Sequence, residues 1–97
     1  PESVSSMLRL VVKAQAPDEV LVALYGKVVG ADVGLLEEEG RCYRQAGTRL
    51  VLELDGVQFI DETGLALLRR WSGPGLQLRG GSAFLRALLA AAGLEVR

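Results

Sequence analysis

The chain has no histidine and a single cysteine among its 97 residues. Without histidine it lacks the commonest general base at neutral pH and the usual catalytic triads. One cysteine and no histidine cannot fill a tetrahedral zinc shell, so no metal site is expected and no cofactor is assigned. Cys42 cannot form an internal disulfide, which points to a reducing, cytoplasmic compartment. We therefore expect no enzyme. Aromatic residues make up only 5% of the chain. Eleven basic residues face twelve acidic ones for a net charge of -1, with no Lys/Arg block, so nucleic acid is not an expected partner. No window carries the roughly 18 consecutive apolar residues of a membrane span, and direct membrane insertion is not expected.

Against these absences stands a hydrophobic content of 49%. A chain of this length can bury roughly 60 to 65% of its unfolded surface, enough for one domain over residues 1–97 and too little for two. Residues 1–6 are polar and are expected to be disordered or foreign to the domain.

Apolar residues alternate at Leu8, Leu10, Val12 and Ala14, the period of a half-buried strand. Pro17 and Asp18 interrupt the pattern before a second apolar run, Val20 to Tyr25, and the pair reads as an antiparallel hairpin closed at Gly26. Val33, Leu36, Gly40 and Tyr43 recur at helical spacing, with Cys42 expected to be a buried or boundary residue. Gly47 ends that helix. Strict alternation returns from Arg49 to Asp55, with Leu50, Leu52 and Leu54 on one side, and Asp55 and Gly56 read as a turn. A helix beginning at Asp61 carries Leu65, Leu68 and Trp71 on one face, with Arg69 and Arg70 read first as a solvated face and second as salt-bridge or partner contacts. Leu76 to Arg79 is a short fourth strand, and Ser82 caps a last helix with Leu85, Leu88, Leu89 and Ala92 inward.

The order ββαβαβα predicts an α/β fold: a four-stranded mixed sheet with helices packed mainly on one face and the third strand internal. Chemistry concentrates where that strand delivers Asp61, Glu62, Thr63 and Gly64 to a helix mouth, whose unpaired N–H groups and partial positive charge favour acids. The simplest reading makes Asp61 an N-cap and Glu62 a complement to the helix dipole. Gly80, Gly81 and Ser82 before the last helix read first as a turn and cap, and second as a phosphate cradle for a nucleotide.

The order of elements and the segment Val57, Phe59, Ile60, Asp61, Glu62, Thr63, Gly64, Leu65 resemble the STAS domain, the family of bacterial anti-sigma-factor antagonists. Gly26 through Asp32, Leu76 to Gly81, Leu88 and Gly93-Leu94 add to the resemblance, which covers about residues 7 to 95. It implies a non-enzymatic, cytoplasmic, partner-switching module of transcription regulation. Such a module binds a serine kinase that doubles as anti-sigma factor, through Asp32, Asp61, Glu62, Thr63, Gly64 and Leu65. The alternative it implies is a STAS subunit bound to the ATPase of an ABC-type phospholipid transporter. The family's phosphoacceptor falls at Glu62, which has no hydroxyl, with Thr63 as the alternative acceptor. A carboxylate brings one charge where a phosphate brings about 1.5 to 2, so Glu62 is a fixed and partial mimic.

Overall fold

The computed structural model describes residues 8–44, 47–73 and 75–96; the expectation for residues 1–6 lies outside them. Seven elements follow the expected order: β1 (Leu8–Ala16), β2 (Glu19–Val28), α1 (Asp32–Arg44), β3 (Arg49–Ile60), α2 (Glu62–Trp71), β4 (Leu76–Arg79) and α3 (Ala83–Ala91). The sheet order is β1-β2-β3-β4. β1 runs antiparallel to β2, while β2, β3 and β4 are mutually parallel. β3 is thus internal, as its apolar alternation demands.

Parallel strands need crossovers, and α1 and α2 supply them over one face. Val22, Leu24, Leu50, Leu52 and Leu54 project from the sheet into a core closed by Val33 and Leu36 of α1, Leu67, Leu68 and Trp71 of α2, and Leu85 and Leu89 of α3. Gly40 permits the approach of α1 to α2, because a Cβ there would collide with the Trp71 ring. Arg70 adds an exposed ion pair to Glu37 of α1 at 3.4 Å. Among the described residues no helix packs on the other face of the sheet. There Lys13 of β1 reaches past β2 to Glu53 of β3 at 3.0 Å, and the hydrogen bond to that carboxylate, then its charge, raise the Lys13 pKa above its ordinary value.

Four local expectations are corrected. Asp55 and Gly56 do not turn: β3 continues to Ile60, absorbing two register irregularities against β2 between Ala23/Tyr25 and Gly26/Lys27. Gly56 lies beneath the Tyr25 ring, where a Cβ would collide, so the glycine serves a close approach within a strand. Gly26, at φ +98°, likewise bends β2 and does not end it. In β1 only Leu8 of the alternating set is buried, Val12 is 43% exposed, and an irregularity between Val12 and Ala14 places Ala14 opposite Leu21. The edge strand runs beyond the helices, and its alternation outlasts its cover. Cys42 is exposed, because α1 turns Leu36, Gly40 and Tyr43 to the core and Cys42 away from it.

Candidate functional site

The carboxyl ends of the three parallel strands lie at one edge of the sheet, and each leads into a helix there, the usual location of sites in such folds. Val28 ends β2 and Ile60 ends β3 as register partners, and the backbone N–H of Asp61 donates to the Val28 carbonyl at 3.1 Å. The β2–α1 turn and the mouth of α2 are therefore neighbours by strand pairing alone.

Asp61 then locks them together. Its Oδ1 accepts from the Gly64 N–H at 2.9 Å, capping α2, and its Oδ2 accepts from the Gly30 N–H at 3.0 Å. One short carboxylate thus satisfies an orphan donor of the helix and fixes the turn that carries Asp32. Gly30 takes φ +53°, a left-handed conformation natural to glycine. Gly64 is buried against β2, and a Cβ there would lie 2.9 Å from the Val28 carbonyl oxygen and 2.7 Å from Ile60 Cγ2. Only a residue without a side chain lets α2 sit this low on the sheet.

The remaining expected site residues are distributed around this bracket. Glu62 is exposed on the first turn of α2 beside exposed Thr63, and Leu65 is half-buried. Asp32 opens α1, half-buried, with its N–H donating to the Val29 carbonyl at 3.0 Å. The structure brings Asp61, Gly64 and the turn before Asp32 into one hydrogen-bonded unit. Glu62 and Thr63 are exposed and make no side-chain hydrogen bond to that unit among the described residues.

The mouth of α3 is the turn and Ser82 cap of the first sequence reading, not the phosphate cradle of the second. Ser82 Oγ accepts from the Leu85 N–H at 3.1 Å, and the Gly81 N–H donates to Asp55 Oδ1 at 2.9 Å. Asp55 thus occupies a donor that an anion would need, and Gly80, at φ +74°, brings its backbone against the same carboxylate. Among the described residues no His/Cys/Asp/Glu group is arranged to hold a metal, and no helix is long and apolar enough to cross a membrane.

Sequence reasoning missed three participants here: Gly30 as the second donor to Asp61, Asp55 as the anchor of the Gly81 turn, and a stacked aromatic pair. The rings of Phe59 and Phe84 lie 6.4 Å apart at 17°. Both are exposed, at 38% and 58%. The available signal for Phe84 was its place off the Leu85/Leu89 face of α3.

A mixed four-stranded sheet, helices on one face and a carboxylate-bracketed mouth on the third strand's helix define an α/β domain of the STAS type. A family model described as "Mlab, STAS domain" matches residues 11–96, and the chain belongs to that family. Among solved structures, the chain resembles the one described as "Structure of the Anti-Sigma Factor Antagonist SpoIIAA in its Unphosphorylated Form". The TM-score is 0.73 and the identity 20%, over 89% of this chain and 82% of the other. At that identity the likeness establishes the fold. No curated protein matched the chain by sequence.

Proposed function

We propose that the domain is a non-enzymatic, cytoplasmic protein-interaction module whose binding surface is the mouth of α2, Asp61 to Leu65, with the adjoining turn at Asp32. The observation that carries this reading is the division of labour at the mouth. Asp61 is consumed in capping α2 and holding the β2–α1 turn, while its neighbour Glu62 stands exposed with no ion pair or side-chain hydrogen bond among the described residues. A preorganised backbone presenting an exposed charge lowers the ordering cost of association and lets electrostatics set partner choice.

The first partner on this reading is a serine kinase that acts as anti-sigma factor, and the domain is its antagonist. Where related modules carry an acceptor hydroxyl, Glu62 supplies a permanent charge, so this domain would not be switched at that position. That same feature supports the second partner, the ATPase of an ABC-type phospholipid transporter, since a standing subunit needs no phosphate switch. Genes beside this one separate the two: a kinase and sigma factor, or a permease and ATPase.

The decisive assay measures binding of the neighbouring gene's purified product to wild type, Glu62→Ser, Glu62→Lys and Thr63→Asp. The reading expects affinity to move with charge, less so at high salt, and mass spectrometry to find phosphate at 62 only in Glu62→Ser with a cognate kinase. Affinity unmoved by all three substitutions would reduce the mouth to a capping device.

A further inference from the structure

α3 is unusually apolar for a helix with an open side. Of its nine residues only Arg86 is charged, whereas a helix on a domain surface ordinarily carries a polar outer face. Leu85 and Leu89 fill the core. Beside them, Phe84, Leu88 and Ala91 follow at intervals of four and three, a row in which Phe84 and Ala91 are exposed and Leu88 is half-buried at the edge of the core. Leu88, Ala91 and Ala92 form one wall of an open groove, and Leu65 and Ala66 of α2 form the other. The Phe59–Phe84 pair stands one helical turn beyond Leu88.

Glu62 and Arg69 also line this groove. They are seven residues apart on α2, two turns, or about 10 Å along the axis. Among the described residues neither side chain makes an ion pair; Arg70, next in sequence, is the one that reaches Glu37. The midpoint of Glu62 and Arg69 falls between Leu65 and Ala66.

We propose that this face binds a second copy of the same chain across a two-fold axis passing near Leu65 and Ala66. Two α2 helices then run antiparallel, and the two-fold sets Glu62 of each protomer against Arg69 of its partner, satisfying four unpaired charges with two identical contacts. Leu88, Ala91 and Ala92 share the groove with α2 and are covered with it, and Phe84 continues their row. Apolar burial supplies the affinity and the exposed ion pairs set the register, since exposed pairs contribute little by themselves. A parallel arrangement would oppose like charges.

Because the dimer covers Glu62 in both copies, it competes with a protein bound at the mouth of α2; that consequence rests on the reading above, whereas the dimer itself does not.

Sedimentation equilibrium of the whole chain, from about 5 to about 500 μM, reads self-association in the range of weak to moderate protein contacts. The wild type is expected to form a reversible dimer, and Arg69→Glu, Glu62→Arg and Phe84→Ser each to weaken it at least about tenfold. Arg69→Glu mixed with Glu62→Arg restores both opposite-charge contacts, so the mixture is expected to dimerise where each variant alone does not. A wild type that stays monomeric throughout overturns the proposal. So does a dimer indifferent to these changes, or a mixture no more associated than its components. Loss of partner binding at Glu62→Lys in a chain that never dimerises would leave the functional reading standing and this one refuted.

Discussion

The mouths of α2 and α3 solve the same problem in different ways. At each, a side-chain oxygen caps the helix and a carboxylate oxygen holds a neighbouring loop. In α3 the tasks are split between Ser82, which caps Leu85, and Asp55, which holds Gly81. In α2 Asp61 performs both, on Gly64 and on Gly30, and Gly64 closes the assembly against Val28 and Ile60. Divided tasks tolerate single losses. Combined in one residue, they make a mouth that is rigid while Asp61 is present and loosened at two points when it is lost. Next to Asp61, Glu62 stands exposed.

Substitutions grade the contrast. The largest effect is expected from Gly64→Ala, where the new methyl meets a backbone carbonyl that cannot yield without moving β2. About 3 kcal/mol should be lost, read in urea melts, and a loss under about 1 kcal/mol would show that α2 can ride higher on the sheet. Asp61→Ala removes a cap and a second hydrogen bond and should cost about 2 kcal/mol. Amide exchange should quicken at both Gly30 and Gly64; quickening at Gly64 alone would show that the tie to the β2–α1 turn is dispensable. Ser82→Ala removes a cap only, about 1 kcal/mol, with Gly81 exchange unchanged because Asp55 still holds it. Equal losses at Asp61 and Ser82 would erase the distinction between the mouths. Smallest is Glu62→Ser, an exposed change expected within about 0.5 kcal/mol of wild type.

Much of this was legible in the chain. Leu50, Leu52 and Leu54 announced a strand buried on one face, Leu85 and Leu89 the core side of α3, and Asp61 followed by Gly64 an N-terminal cap. What escaped was set by partners distant in sequence. Asp55-Gly56 carries the composition of a turn, yet pairing with β2 holds it in strand and the Tyr25 ring explains the glycine. Val12 alternates like a core residue because local pattern cannot tell where the helices stop. Gly30 gave no sign of its bond to Asp61, 31 residues away, nor Asp55 of its bond to Gly81. The sequence located the mouth and the Asp61 cap; the second bond of Asp61, to Gly30, came from geometry.

The central claim is that Glu62 belongs to the binding surface and not to the fold. It is tested most directly by titrating the product of the neighbouring kinase or ATPase gene into wild type and Glu62→Lys by isothermal calorimetry at low salt, with melting curves of both. The account predicts superimposable melting curves and an affinity changed by at least about tenfold, or about 1.4 kcal/mol. Equal affinities for two equally stable proteins would contradict it.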